Sequence, residues 1–173
     1  MKNIVIAAGY ATRLGELTRN FPKPLLQIGE STILGRMLDD IDRIPEIDEH
    51  IIITNHRFAH IFEEWAAAQN YVKPVTIVDD GTSTNETRLG AVCDLLFAME
   101  KLSIDDDLLV VAADNILMFS FQEFVDFARE KDSSCIMCIL LAILIPACAS
   151  SSPAFLMMYS AYKLNKQGDD IQP

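Results

Sequence analysis

Residues 3–26 read NIVIAAGYATRLGELTRNFPKPLL, an apolar run rich in β-branched residues followed at once by a polar loop that carries Gly9, Arg13 and a Pro-Lys-Pro segment. Similar apolar runs recur at residues 50–54, 74–79 and 107–113. None of them alternates cleanly between apolar and polar residues, which is typical of strands buried on both faces of a parallel sheet. We therefore predict a strand in each of the four segments.

Helical periodicity separates these strands. Apolar residues recur at three- and four-residue spacing within residues 33–41, 58–65 and 89–97, so each segment predicts a helix with one apolar stripe. We expect the third stripe to consist of Leu89, Val92, Cys93, Leu96 and Phe97. A fourth helix is predicted to begin at Ser120, because Ser-Phe-Gln-Glu has the form of a capping box.

The alternation of strands and helices predicts an α/β fold of the three-layer, Rossmann-like type, with a mostly parallel sheet and helices on both faces. Ligands of such sheets bind beyond the carboxyl ends of the strands. The loop that follows residues 3–8 is therefore expected to lie at a ligand site.

Composition narrows the range of partners and locations. Half of the 173 residues are hydrophobic and 23% are charged, as in globular proteins. The net charge of −11 argues against a nucleic-acid partner, which clustered basic residues would bind. The apolar start is too short for a secretory signal, so we expect a cytoplasmic location. The four cysteines do not suggest a disulfide framework, and Cys135 and Cys138 lack the second pair of a zinc site.

The segment from residue 133 to residue 162 has no charged side chain. It permits three interpretations: a buried strand at 134–141 that continues the sheet, a membrane anchor, or a fragment whose second half is missing or altered. A membrane span needs about 20 mostly apolar residues, and Pro146 and Pro153 interrupt this run, so the buried strand is preferred. We also consider a further strand at 155–163 and burial of the uncharged tail in a homo-oligomer.

The loop after the first strand has the chemistry of a phosphate site. Gly9 lets a backbone approach a ligand, consecutive N–H groups bind anions, and Arg13 adds a permanent cation. The spacing matches neither a P-loop nor a dinucleotide fingerprint. Pro22 and Pro24 favour an extended conformation at Lys23, which presents its ammonium as a point charge. The alternative is a rigid surface turn with a solvated lysine.

The stretch resembles the sugar-phosphate nucleotidyltransferases, whose glucose-1-phosphate thymidylyltransferase-like and cytidylyltransferase-like members open with a pattern close to LAGGxGTRLxPLTxxxPKPLL. Ala8 and Ala11 stand where many relatives carry glycine, and Glu16 stands at the usual proline. The resemblance extends through residues 79–98, which resemble the nucleotide-base segment, and residues 105–120, which resemble a strand that ends in a metal-binding aspartate. It covers the N-terminal portion of the chain, roughly the first 135 residues.

This resemblance implies a role for each matching position. The backbone of Ala7, Ala8 and Gly9 would contact a nucleoside triphosphate, and Asn85 and Gly90 its base or sugar. Arg13 would contact the β- and γ-phosphates, Lys23 the transferring phosphate, and Asp114 a magnesium ion, Mg2+. The implied reaction transfers a nucleoside monophosphate to a sugar 1-phosphate, or a similar phosphorylated alcohol, with release of pyrophosphate.

The resemblance also implies a domain division and an alternative. Residues 1–135 would form the nucleotide-binding α/β domain, with residues 136–173 an apolar segment packed on it or extending it. Relatives continue beyond this match with the part that holds the acceptor. The alternative is thus a non-catalytic nucleotide-binding or assembly module. A dinucleotide-binding domain is disfavoured, because Thr54 and Asn55 end the second strand where such domains place an acidic residue.

Other polar residues are expected to be structural. We interpret His50, His56 and His60 as surface or helix residues, because nucleotidyl transfer does not require a histidine. The acidic pairs and triplets predict solvated turns or helix faces at Asp39–Asp40 and Asp105–Asp107, and a turn at Asp79–Gly81.

Overall fold

The computed structural model describes residues 1–11, 15, 18, 20–116, 119–140 and 156–162, with residues 138–140 and 156–162 described by backbone alone. The helices are α1 (Ile33–Ile41), α2 (Ala59–Ala67), α3 (Ala91–Leu102) and α4 (Phe121–Lys131). The strands are β1 (Lys2–Ile6), β2 (Gln27–Ile28), β3 (Ser31–Thr32), β4 (Glu49–Thr54), β5 (Val75–Asp79), β6 (Leu108–Ala112), β7 (Cys135–Leu140) and β8 (Leu156–Tyr162).

The main sheet has the strand order β5-β4-β1-β6-β8-β7, and β2 and β3 form a separate two-stranded sheet. β1 lies between β4 and β6 and is parallel to both, with Val5 opposite Ile52 and Val111. β5 is parallel to β4. The four strands expected from the apolar runs and their parallel arrangement are thus confirmed.

The C-terminal strands are antiparallel. β8 pairs with β6 and with β7, so that β7 lies at the outer edge of the sheet. The strand predicted at 134–141 is present, but it is an edge strand in which the side chain of Ile136 is 52% exposed, and not a strand buried on both faces. The strand considered at 155–163 is present as β8. The domain boundary at residue 135 stays a prediction.

The central strands contribute side chains to two separate cores, one on each face of the sheet, because successive residues of a strand point to opposite faces. One core packs Val5 and Ile52 against apolar residues of α1, α2 and α4. The other packs Ile4 and Ile51 against α3. Helices therefore cover both faces, which confirms the three-layer fold. Within the described residues, no helix is both long enough and apolar enough to cross a membrane.

The apolar stripe predicted for α3 is wrong except at Phe97, which packs against the second core, whereas Leu89, Val92, Cys93 and Leu96 are exposed. Val92 is 72% exposed and Leu96 is 49% exposed, while Asp94 and Ala98 are buried on the side of the sheet. The reason lies in the composition of α3, which carries apolar residues around most of its circumference, so that periodicity cannot choose the buried side. The contacts with β1 and β4 make that choice.

The N-terminus of α4 lies where the sequence predicts it, but its cap differs. The Ser120 hydroxyl accepts a hydrogen bond from the backbone of Gln122. Asp40 of α1 adds a second cap, since its carboxylate accepts from the Phe121 N–H at 2.7 Å and from the Ser120 hydroxyl at 3.2 Å. The interpretation of Asp40 as a solvated residue is therefore wrong, because its charge stabilises the positive end of α4.

His50 is not a surface residue. It is fully buried in β4, where its Nδ1 pairs with the Asn3 amide at 3.0 Å and its Nε2 with Asp42 at 3.2 Å. Burial, which outweighs the attraction of Asp42, lowers the pKa of His50 below its usual value of 6.5. His56 and His60 are exposed, as expected.

Candidate functional site

The site lies where the strand order reverses. From β1 the chain proceeds outward through β4 and β5 and then returns to the other side of β1 as β6. Parallel sheets bind ligands at such a switch point, beyond the carboxyl ends of the strands. A cleft of about 620 Å³ occupies this position, lined by the loops after β1 and β6 and by residues that precede and begin α3.

Hydrogen bonds to neighbouring strands hold the loop after β1 in place. The Ala7 N–H donates to the carbonyl of Ile53 at 2.8 Å, and the Asn55 amide donates to the carbonyl of Ala8 at 3.0 Å. The Tyr10 hydroxyl lies 3.3 Å from that of Thr82 in the loop after β5. These contacts fix the backbone at Ala7 and Ala8, and the side chain of Tyr10, at the wall of the cleft.

Gly9 has open space above it. A Cβ atom added there would meet no heavy atom within 4 Å, and the residue is exposed at the cleft. Its backbone is outside the left-handed region, so the conformation of the chain does not require glycine. What the missing side chain provides is room for a ligand to approach the backbone.

Lys23 and Asp114 meet in the cleft although 91 residues separate them. The Lys23 ammonium donates to the Asp114 carboxylate at 3.0 Å. Their side chains are 32% and 54% exposed. Lys23 begins a 3-10 helix that ends at Leu25, so the prediction of an extended backbone at Lys23 is wrong. Pro24 and Leu25 of this turn are buried, and Leu25 packs in the first core.

The segment before α3 contributes a second cation. The Arg88 guanidinium donates to the Asn85 side-chain oxygen at 2.9 Å, and both residues line the cleft. Gly90 adopts φ 90°, a conformation in which other residues are strained, and forms the N-cap of α3. Sequence reasoning selected Asn85 and Gly90 but missed Arg88. Its position in the same short segment was the available signal.

Asp94 is the second residue that sequence reasoning missed. Its side chain is 4% exposed, and it lies in the wall of the cleft one turn into α3. Burial raises the pKa of Asp94 to about 6, with a smaller contribution from the charge of Asp80. Asp80 itself is satisfied by the backbone and hydroxyl of Thr82. Asp94 lies within the apolar stretch AVCDLLFA, so no pattern in the sequence indicated that its carboxylate lies at a cleft.

Seven of the eight residues that the sequence selected line this one cleft: Ala7, Ala8, Gly9, Lys23, Asn85, Gly90 and Asp114. Arg13 lies outside the described residues. The arrangement joins a backbone loop open to ligand, two cations and an accessible carboxylate, which suits an anionic ligand with several phosphates.

The sequence matches the model of the nucleotidyl transferase family over residues 2–144. The mannose-1-phosphate guanyltransferase of Debaryomyces hansenii is 28% identical over 135 residues, which cover 76% of this chain and 35% of that protein. The 2-C-methyl-D-erythritol 4-phosphate cytidylyltransferase of Thermobifida fusca is 33% identical over 88 residues, covering 51% of this chain and 34% of that protein. The chain thus spans about a third of the length of these relatives.

Solved structures share the fold. A UDP-glucose pyrophosphorylase in complex with UDP-glucose superimposes with a TM-score of 0.66 at 16% identity, covering 82% of this chain and 58% of that one. The UDP-glucose pyrophosphorylase of Acinetobacter baumannii gives a TM-score of 0.64 at 15% identity, covering 79% and 55%. The family match over most of the chain, on a fold that these enzymes share, shows that the chain belongs to the nucleotidyl transferase family.

Proposed function

We propose that this chain binds a nucleoside triphosphate in the cleft and transfers its nucleoside monophosphate to a sugar 1-phosphate or a similar phosphorylated alcohol. The contact between Lys23 and Asp114 beside the open Gly9 backbone carries this proposal. It gathers a cation, a carboxylate and an anion-binding loop at the switch point of the sheet. Family membership supports the same class of reaction.

The phosphates would bind at the basic side of the cleft. The backbone of Ala8 and Gly9 offers N–H groups, whereas the Ala7 N–H is already donated to Ile53, so Ala7 would line the phosphates without donating to them. Lys23 contributes a point charge to the transferring phosphate. Arg88 adds a cation from the segment before α3. Arg13, which the resemblance assigns to the β- and γ-phosphates, stays a predicted ligand.

Asp114 would hold a magnesium ion together with the substrate. Its carboxylate is 54% exposed and provides the hard oxygen ligand that Mg²⁺ prefers. The described residues contain no group of three His, Cys, Asp or Glu side chains that could hold a metal. One carboxylate suits Mg²⁺ nonetheless, since this ion is commonly bound by one or two carboxylates and by substrate phosphates. When bound, it supplies positive charge against the phosphates.

The reaction needs no covalent intermediate on the protein. A phosphate oxygen of the acceptor attacks the α-phosphorus, a new P–O bond forms, and the bond to the departing pyrophosphate breaks. The chain contributes by positioning two anions that repel each other and by placing the Lys23 ammonium where charge develops. Asn85 and Gly90 would contact the base or sugar. The two relatives and the solved structures are named for different nucleotides, so their names do not select a base.

The activity is tested by measuring pyrophosphate release with nucleoside triphosphates, sugar 1-phosphates and Mg²⁺. We expect release with at least one pair of substrates. Binding of a nucleotide without release from any pair would contradict the transferase and support the alternative, a non-catalytic nucleotide-binding or assembly module. A cytoplasmic location and a homo-oligomer remain predictions, which fractionation and sedimentation would test.

A further inference from the structure

Helix α3 buries a carboxylate where its sequence offers many apolar side chains. Asp94 is 4% exposed, whereas Val92 and Leu96 on the same helix are 72% and 49% exposed. Apolar side chains of α3 also pack on the sheet in this orientation, but the buried carboxylate of Asp94 destabilises the fold unless it is paired. The orientation of α3 therefore has a cost, which calls for a function at Asp94.

The carboxylate of Asp94 is also incompletely paired. Its Oδ1 atom is buried and has no hydrogen-bond partner among the described residues. No described cation lies within ion-pair distance of it, and the nearby charge of Asp80 repels it. A buried carboxylate without partners is strongly unfavourable unless another group supplies donors. Since Asp94 forms part of the cleft wall, a ligand in the cleft can supply them once the side chain rotates to bring its buried Oδ1 atom to the cleft.

We propose that Asp94 selects the nucleobase by accepting hydrogen bonds from its N–H groups, and that it favours guanine. This inference rests on the proposed function, because it takes the occupant of the cleft to be a nucleotide. The Asp94 N–H donates to the carbonyl of Gly90 at 2.8 Å, so Asp94 lies one helical turn beyond Gly90. That places it beside the segment from Asn85 to Gly90, which is proposed to contact the base or sugar.

The preference for guanine follows from the chemistry of a carboxylate. An ionised carboxylate has two acceptor oxygens and no donor. The Watson–Crick edge of guanine presents two neighbouring donors, N1–H and the 2-amino group. Adenine and cytosine set one amino group beside an acceptor nitrogen, and uracil and thymine place one N–H between two carbonyl oxygens. Only guanine can satisfy both oxygens of Asp94 without placing an acceptor against them.

The test measures binding and does not depend on catalysis. Affinities for GTP, ITP, ATP, CTP and UTP are determined by calorimetry with Mg²⁺ at pH 7.5, where Asp94 is ionised, for the wild-type chain and for Asp94→Asn. ITP lacks the 2-amino group of guanine but keeps N1–H. Glu100→Gln is the matched control, since Glu100 is an exposed carboxylate on the same helix that does not line the cleft.

We expect the wild-type chain to bind GTP at least tenfold more tightly than ITP or UTP, the size of effect that a charge-assisted hydrogen bond produces. Asp94→Asn should lower the affinity for GTP at least tenfold. It should raise the affinity for ATP or CTP relative to that for GTP, because a carboxamide presents one acceptor and one donor. The affinity of this variant for UTP should stay within threefold of the wild-type affinity. Glu100→Gln should change none of these affinities by more than twofold.

Equal affinity of the wild-type chain for GTP and ITP would overturn the proposal. An equal loss of affinity for every nucleotide in Asp94→Asn would also overturn it. If the wild-type chain binds no nucleotide, the proposed function fails as well, so the two failures are distinguishable. Asp94→Asn removes an unpaired buried charge and is expected to melt at a higher temperature than the wild type. Should this variant fail to fold, the comparison of GTP with ITP in the wild-type chain decides the proposal by itself.

Discussion

Ala11 is strained at the mouth of the cleft. It has φ 46°, in the left-handed region that glycine tolerates, and the resemblance to the sugar-phosphate nucleotidyltransferases implies a glycine at this position. The left-handed conformation costs an alanine about 1–2 kcal/mol. Glycine loses about 0.5–1 kcal/mol more chain entropy on folding, which offsets part of the gain. We predict that Ala11→Gly raises the free energy of unfolding by about 0.5–1 kcal/mol in urea denaturation.

Ala8 is the matched control for Ala11, because the resemblance implies a glycine there too but its backbone has no positive φ. Its side chain is 5% exposed. Ala8→Gly should lower the free energy of unfolding by about 1 kcal/mol or more, since it removes a buried methyl group and adds chain entropy. The same sign for both substitutions would contradict the assignment of strain to Ala11.

Lys23 is expected to matter for turnover and not for stability. Its ion pair with Asp114 is exposed to solvent, and exposed pairs contribute about 0–1 kcal/mol. A cation that contacts the transferring phosphate contributes about 10²–10³ in rate. Lys23→Ala should therefore reduce pyrophosphate release at least a hundredfold while changing the free energy of unfolding by less than about 1 kcal/mol.

Lys131 provides the control for this substitution. It forms an exposed ion pair with Glu130 on α4 and does not line the cleft. Lys131→Ala should leave pyrophosphate release unchanged. A comparable loss of activity in both variants, or a loss in Lys23→Ala that merely follows its unfolding, would contradict the role of Lys23.

At the scale of elements, α1 and α4 are joined by a cap that the sequence does not reveal. Asp40 accepts hydrogen bonds from the Phe121 N–H and the Ser120 hydroxyl at the first turn of α4. Loss of a capping side chain costs about 0.5–2 kcal/mol. We predict that Asp40→Ala lowers the free energy of unfolding by about 1–2 kcal/mol, measured by urea denaturation.

Asp39 lies next to Asp40 but is exposed. Surface substitutions away from such contacts usually change stability by less than about 0.5 kcal/mol. Asp39→Ala should therefore leave the free energy of unfolding within that range. An effect of Asp39→Ala as large as that of Asp40→Ala would show that general charge, and not the cap, is responsible.

For the whole molecule, the buried residues His50 and Asp94, on opposite sides of the sheet, have opposite effects on how stability changes with pH near neutrality. His50 has a lowered pKa, so the unfolded chain takes up a proton below pH 6.5 before folded His50 does, and acidification favours unfolding. Asp94 has its pKa raised to about 6, so its folded form gains a proton first and acidification favours folding. Exposed His56, whose pKa is raised, acts in the same direction as Asp94.

We predict that Asp94→Asn makes the effect of His50 on the pH dependence of stability measurable. Between pH 7 and pH 5 the free energy of unfolding of this variant should fall more steeply than that of the wild type. Adding His50→Gln should flatten the dependence, because His56 is unchanged in both variants and cancels in the comparison. Guanidinium denaturation at several pH values measures these slopes. Identical slopes for Asp94→Asn and the double variant would contradict a buried neutral His50.

The fold was predictable from the sequence where one pattern has one structural reading. The apolar runs at 50–54 and 107–113 are too short and too rich in β-branched residues for helices, and they form β4 and β6. The ordering of strands and helices then implies a parallel sheet with its ligand at the carboxyl ends. Lys23, Asn85 and Asp114 were selected because their segments resemble the sugar-phosphate nucleotidyltransferases, and the structure brings all three to one cleft, while their roles stay predictions.

Residues with more than one possible environment were not predictable. The apolar residues of α3 surround the helix, so Asp94 was hidden among them, and the pair Asp39–Asp40 reads as a solvated helix face. The residues next to His50 in the sequence do not indicate that it pairs with Asn3, which lies opposite it on the adjacent strand β1. In each case the environment comes from a residue distant in sequence.

The sequence by itself determined the order of the secondary structure elements, the α/β class and the polar segments from which the cleft is built, because backbone preference and periodicity are local properties. The tertiary structure alone decided which side of α3 is buried, which carboxylate caps α4 and how Lys23 meets Asp114 at 3.0 Å. Those outcomes depend on contacts between segments up to 91 residues apart, whose energies exist only once the sheet has brought them together.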